Sequence, residues 1–447
     1  MDNLCEPFLS SESTDCSIIE PDQRKKPYGP LITAKQKEVE VDLIEDIDVD
    51  IENGTYFLCA RAFAVVSQRR RKTRTIMTAP FILLTMLVGL WPVCRYKVFQ
   101  KFFMVIGVAI NTYVFIGNIA VYRFCAVITP NAANELSPFL CYGMMAFNET
   151  SKQWAKIFRP VLFSRALFSF AQFSGYILIA HCILGKLPKQ KKAVPLKLAY
   201  NLLTRKQWIK LNFQILLSFS IWITFLVSDL RHAEKYIPKD HFVIWLKIEN
   251  LVVWFYVGAP LWIFAVMISA LESLITACIH EIKELREGDI NEVISIYQEL
   301  CNHIFSTVRG LKFWFVIHWF AFGMAFIVDV ALGFKSVDSL PNQQNEFQFW
   351  VFHIAFLAFA LYPFLYPSIC AASLTSKCGN MLEQLNFISS TAWRPGHPLK
   401  IRSNMNEFLI FANQTHCGFR IGRLTFNNGL AWISICFGIF GMVFKLL

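Results

Sequence analysis

Charge is what this 447-residue chain has little of. Asp, Glu, Lys and Arg make up 17% of it, where a soluble globular protein carries about 25%. That deficit, with 55% hydrophobic residues gathered in long runs, points to lipid as the solvent. Catalytic patterns are missing too. The nine His form no His-Glu-x-x-His pair, and neither Gly-x-x-x-x-Gly-Lys-[Ser/Thr] nor Gly-x-Ser-x-Gly occurs. Metallohydrolase, phosphate-loop and serine-hydrolase chemistry therefore have no foothold, and neither an enzyme nor a cofactor is expected. The 13 Cys contain no Cys-x-x-Cys pair and no zinc spacing. Most lie in or beside apolar runs as small apolar filler, although Cys125 and Cys141 could meet in a disulfide near the outer surface. No basic-aromatic module accompanies the net charge of +11, so the charge marks cytoplasmic loops rather than a nucleic-acid partner. No repeat period and no pair of broken helices of the transporter kind is present.

The apolar runs set the architecture. A bilayer core about 30 Å thick needs about 20 apolar residues in a helix. Seven runs qualify, at roughly 102–128, 157–184, 211–228, 250–278, 311–334, 349–374 and 429–446. The expected fold is all-α, with seven membrane-spanning helices. A shorter stretch, 77–94, is interrupted by Pro80 and Pro92; it reads as a helix packed at the inner face, with a span as the alternative.

Lys and Arg concentrate on the cytoplasmic side of membrane proteins. Segment 61–101 holds nine of them, loop 185–210 holds eight and no acid, and loop 375–428 holds six against two acids. Loops 129–156 and 335–348 hold two and one, and 229–249 balances four basics with four acids. Loop 279–310, with three basics and six acids, is the exception. The pattern predicts an inner N-terminus and an outer C-terminus. It divides the chain into a disordered acidic cytoplasmic tail, 1–60, a cytoplasmic or interfacial helical segment, 61–101, and the seven-helix domain, 102–447. The sequon at Asn148 falls in the first outer loop, where sugar could be added; Asn53 and Asn413 sit in sequons on the inner side. Segments 279–310 and 375–428 carry apolar residues at helical spacing, so long cytoplasmic helix extensions are expected, with a turn near Gly288.

Polar groups inside spans cost a few kcal/mol, which singles out Asp329 in the run 311–334. His318 lies eleven residues earlier, almost three whole turns, about 16 Å away on the same face. Trp314 is one turn before His318, and Trp319 projects from the adjacent face. The group can line an outer pocket; helix packing and interfacial anchoring are the plainer reading. Trp254 and Trp262, two turns apart on their helix, read as ordinary packing. A G-protein-coupled heptahelical receptor would need the opposite orientation, and it would carry Asp/Glu-Arg-Tyr after the third span and Asn-Pro-x-x-Tyr in the last; neither is present.

Two segments resemble a known family. Phe81–Pro92 (FILLTMLVGLWP) is similar to the segment before the first span of invertebrate gustatory receptors, members of the insect chemoreceptor superfamily. The final run resembles that family's Thr-Tyr, five apolar residues, Gln-Phe motif at Cys436-Phe437-GIFGM-Val443-Phe444, with Cys in place of Thr and Val in place of Gln. In length and Trp content the chain is most similar to the nematode members that respond to short-wavelength light and hydrogen peroxide. The resemblance implies a multi-pass receptor in the plasma membrane of sensory neurons. It also implies a homotetrameric cation channel, or a hetero-oligomer with related receptors, in which helix 429–446 lines the pore. Val443 and Phe444 would then form the gate, with Phe437 and Phe440 along the same helix. A light stimulus would be sensed through Trp91 and through Trp314 or Trp319. A tastant-gated channel, or a metabotropic or accessory receptor that needs a partner, is the alternative.

Overall fold

The computed structural model of the chain describes residues 71–91, 97–122, 151–190, 192–236, 241–285, 288–333 and 346–430. The acidic tail 1–60, Cys125, Cys141, Asn148 and the expected pore residues Phe437, Phe440, Val443 and Phe444 lie outside them. The described helices are α1 (Arg71–Leu87), α2 (Lys97–Val121), α3 (Ser151–His181), α4 (Leu196–Leu202), α5 (Arg205–Tyr236), α6 (His241–Glu284), α7 (Ile290–Gly333), α8 (Glu346–Asn386) and α9 (Arg402–Thr415). A two-residue ribbon, β1 (Arg420–Ile421) and β2 (Leu424–Thr425), pairs antiparallel with Ile421 opposite Leu424.

Six helices among these residues are long and apolar enough to cross a membrane: Val98–Ala120, Arg165–Lys189, Arg205–Ser228, Val252–Glu284, Ile290–Val328 and Leu357–Asn386. Each overlaps one of the first six apolar runs. The seventh run falls almost entirely beyond residue 430, outside the described residues. The short apolar helix Met77–Leu87 occupies the Pro-interrupted stretch.

Helix α6 is the axis of the bundle: 78% of its apolar window is buried, against 22% for α2 and 28% for α5. It packs on α3, α4, α5, α7 and α8, while α7 packs chiefly on α3 and α8. The peripheral helices turn large apolar side chains outward, Val98, Phe102, Val105 and Ile116 on α2 and Phe213, Leu216 and Ile223 on α5. Faces this large would drive aggregation in water and are the ordinary surface of a helix in lipid. Lipid removes the hydrophobic drive between helices, so close packing and buried polar pairs hold the bundle. One such pair joins α2 to α3, where Gln172 Nε2 donates to Asn111 Oδ1 at 2.8 Å.

Helices α6 and α7 each run for 44 residues, about 66 Å at ~1.5 Å per residue. That is twice the ~30 Å apolar core of a bilayer, so both project beyond it. The chain turns between Glu284 and Ile290, around Gly288, where the helical spacing predicted it. The projecting half of α7 is covered by α9: Tyr297 meets Phe408 edge-on at 5.5 Å, and its hydroxyl donates to the Ala412 carbonyl at 3.4 Å. After the ribbon, Asn427 Oδ1 accepts from the Leu430 N–H at 3.0 Å, an N-cap for the helix that starts there.

The three basic-rich segments converge on one end of the bundle. Val194 N–H donates to Thr307 Oγ1 at 3.0 Å and His303 Nδ1 bonds the Lys192 carbonyl at 2.7 Å, which ties loop 185–210 to the projecting half of α7. Loop 375–428 reaches the same half through Tyr297 and Ala412. Helix α1 joins through Phe81, 5.8 Å from Trp208 near the start of α5.

Candidate ligand cleft

The site begins with two prolines inside α8, Pro363 and Pro367. Proline has no N–H, so Pro367 leaves the carbonyl four residues earlier, that of Pro363, without its helical partner. His318 of α7 supplies the missing donor: its Nε2 lies 3.1 Å from the Pro363 oxygen. A carbonyl only accepts, so the ring proton is on Nε2 and Nδ1 is bare. Nδ1 is buried without a partner. The ring is stacked on Trp314 and lies against a tilted Phe322, each 4.5 Å away, and Trp314 donates from Nε1 to the Gly175 carbonyl of α3 at 3.0 Å.

The sequence-predicted group is therefore split. Trp314 and His318 are fully buried where α7 meets α3 and α8. Trp319 is half-buried on the neighbouring face, stacked on Phe364 at 5.6 Å, with its N–H unpartnered. Asp329 lies in α7, near the helix end, and only its backbone is described. Trp91 belongs to another aromatic group: it meets Phe81 at 6.1 Å and Tyr200 at 5.2 Å, both edge-on.

A cleft lies beside Pro363, between α5, α6 and α8. Its walls are Ser218 and Ile221 from α5, Trp254, Val257, Gly258, Leu261 and Trp262 from α6, and Phe359, Tyr362 and Pro363 from α8. About 290 Å³ inside it is free of atoms, counting space open to the surroundings, yet after the wall atoms' radii are allowed for, about 10 Å³ remains, room for about one water. Two indoles form the α6 wall, Trp254 and Trp262, with ring centres 5.1 Å apart at 61°. Gly258 makes this possible, since a Cβ there would stand 2.4 Å from the Trp262 ring. Trp222 stacks behind Trp254 at 5.6 Å, and Phe225 stacks on Phe359 at 5.4 Å.

The polar inventory of the cleft is small. The Tyr362 hydroxyl reaches the Gln214 carbonyl at 3.4 Å, and Ser218 Oγ bonds the Ile215 carbonyl at 2.9 Å. The indole N–H groups of Trp254 and Trp262 are both buried; that of Trp254 has no hydrogen-bond partner, and that of Trp262 faces the Tyr362 hydroxyl without a bond of good geometry. An apolar slot with a few placed polar groups is the usual makeup of a small-molecule site. The sequence reading assigned these two Trp to packing. Their spacing of eight residues, with a glycine midway, is the signal that places them on one wall.

A second feature escaped the sequence reading. Glu272 lies inside the apolar run of α6 and is nearly buried; its oxygens accept from Ser373 Oγ and Lys377 Nζ of α8, both at 2.7 Å. A lone acid in the run 250–278, with Lys377 just past the run 349–374, was the visible cue.

No protein-family profile and no curated protein matches this chain. Its fold is similar to that of an insect olfactory receptor, OR5 of Machilis hrabei in complex with eugenol, with a TM-score of 0.51 and 10% identity over 83% of this chain and 98% of that one. The same receptor described without eugenol gives a TM-score of 0.48 and 11% identity over 82% of this chain and 97% of that one. The chain thus has a multi-helix fold similar to that of an insect olfactory receptor. The likeness lends nothing to the nematode light- and peroxide-responsive branch.

Proposed function

We propose that this chain is a chemoreceptor-type sensory receptor, the subunit of a cation channel opened by a small, mostly apolar molecule in the cleft between α5, α6 and α8. The observation that carries the reading is two buried indole N–H groups on an otherwise apolar wall, that of Trp254 unpartnered and that of Trp262 held only against the Tyr362 hydroxyl. They call for a ligand with an aromatic or aliphatic body and one or two hydrogen-bond acceptors. A receptor of the same fold holds eugenol, which supports that class. The cleft has room for about one water, so a ligand enters only if side chains such as Trp254 and Tyr362 rotate. Binding then favours a conformation with an altered α6–α8 contact, and opening is a population shift. Titration of the purified full-length chain with eugenol, followed by indole fluorescence, tests this. Saturable quenching is expected, weakened about fivefold in Trp262→Phe, the value of a ~1 kcal/mol hydrogen bond, and unchanged in Trp319→Phe. Equal affinity in the wild type, Trp254→Phe and Trp262→Phe, or no binding, contradicts it.

The remaining architecture follows the resemblance. The proposal holds that the chain crosses the plasma membrane of sensory neurons seven times, N-terminus inside and C-terminus outside, and assembles as a homotetramer or with related receptors. Helix 429–446 lines the pore. Phe437, Phe440, Val443 and Phe444 face it, because an apolar ring excludes water and ions when narrow. The gathering of the basic segments at one bundle end supports the orientation. Sugar on Asn148 belongs to the outer side, and a glycosidase-sensitive mobility shift lost in Asn148→Gln is its check.

Light and peroxide as stimuli rest on the resemblance alone. In that reading Trp91 and Trp314 or Trp319 absorb, and Asp329 and His318 border the sensing region. Trp91→Phe and Trp319→Phe are then expected to reduce a light-evoked current with surface expression unchanged; an undiminished current in both removes the reading.

A further inference from the structure

Four buried or half-buried thiols meet where the projecting ends of the bundle pack: Cys278 of α6, Cys301 of α7, Cys378 of α8 and Cys417 just after α9. Among the described residues no group has the arrangement of a metal site. Two of the thiols are in direct contact, Cys378 Sγ lying 3.3 Å from Cys417 Sγ. A disulfide needs the sulfurs at ~2.05 Å, about 1.2 Å closer, within reach of a small side-chain rotation.

The backbone around Cys417 already lies against α8. Phe419 N–H donates to Thr375 Oγ1 at 3.0 Å, one turn before Cys378. Gly418 between them has φ +149°, and a Cβ there would stand 3.1 Å from Thr375. Only glycine permits this approach, which holds Cys417 over Cys378. The segment then forms the β1–β2 ribbon and reaches the Asn427 cap of the helix that follows.

We propose that Cys378 and Cys417 are a redox-reactive dithiol, a modification site whose disulfide fastens the lead-in to the last helix onto α8. The oxidant class is a hydroperoxide, chosen by access: Cys417 is half-buried and Cys378 buried, so a small oxidant enters where a bulky disulfide does not. The Cys417 thiolate attacks the peroxide oxygen, the O–O bond breaks, and a sulfenic acid forms with release of water or an alcohol. Cys378 then attacks that sulfur, the S–O bond breaks, and its oxygen leaves as water with the Cys378 proton. Two thiols lose two electrons, the peroxide gains them, and a small dithiol reverses the step. The Cys301 thiol draws the Cys417 pKa down, but Cys378 and burial outweigh it and hold it well above the usual thiol value. The resting thiol is therefore protonated, and oxidation quickens as pH rises.

The pair goes beyond the ligand cleft and depends on no stimulus assignment. Its test is hydrogen peroxide treatment of the full-length chain in membranes, thiol blocking under denaturation and non-reducing peptide mapping by mass spectrometry. A Cys378–Cys417 linked peptide is expected as the main intramolecular link, reversed by dithiothreitol, formed several-fold faster at pH 8.5 than at pH 7, and retained in Cys301→Ser. Hydrogen exchange across 416–427 is expected to slow several-fold in the oxidised wild type. Absence of that link, dominance of a Cys301–Cys417 link, or exchange unchanged by oxidation overturns the proposal.

Discussion

His318 shows how one residue can be recognised as unusual before its role is visible. A His in an apolar run stands out in the sequence, and so do Pro363 and Pro367 four residues apart. That the imidazole answers the carbonyl freed by Pro367 emerges only when α7 and α8 are packed together. The same limit hid the cleft. Trp254 and Trp262 share a face by spacing, but Ser218 and Tyr362 come from helices remote in sequence. His397 yields a prediction at this scale. The buried ring donates from Nε2 to the Ile282 carbonyl at 2.7 Å and accepts at Nδ1 from Leu399 N–H at 3.1 Å. Burial holds its pKa below 6.5, with the Ile282 bond a smaller opposing effect. The unfolded ring titrates near 6.5. The contribution to folding stability is therefore fully present above that pH and is lost as pH falls from there through the lower folded value. The thermal midpoint in detergent should drop between pH 7 and pH 5, and the drop should shrink in His397→Gln; an equal drop in the variant contradicts the assignment.

At the scale of elements, apolar runs were enough to find six long helices, because ~20 apolar residues in lipid have few other structures open to them. Boundaries were harder. The run 311–334 marks only the second half of α7, whose first half is amphipathic and packs on α9 instead of lipid. Its helical spacing was legible, and its partner was not. The α6–α8 contact gains definition from Glu272, 10% exposed, paired with Lys377, 43% exposed. Lys377→Met leaves the carboxylate without its cation. The expected loss is about 1–2 kcal/mol, between the values for exposed and buried pairs, read as a lower thermal midpoint; no change would mean that the Ser373 bond suffices. For the last helix, the pore proposal predicts that Phe444→Ala raises resting current. Leak and ion selectivity equal to wild type would count against a gate at this position.

For the whole molecule, the charge count read along the sequence acquires a spatial meaning. Segments 61–101, 185–210 and 375–428 carry nine, eight and six Lys/Arg, and their described parts gather at the end where α6 and α7 project. A C-terminal epitope tag should label on intact cells; labelling only after permeabilisation would reverse the topology. The central claim, a channel opened through the cleft, is tested most directly by whole-cell recording in a heterologous cell with G-protein signalling blocked, applying eugenol and a panel of related small aromatics to wild type and Trp262→Phe. The account predicts a cation current in the wild type that needs several-fold more ligand in the variant at equal surface expression. No current from surface-expressed wild type, or identical dose dependence in the two, would contradict it.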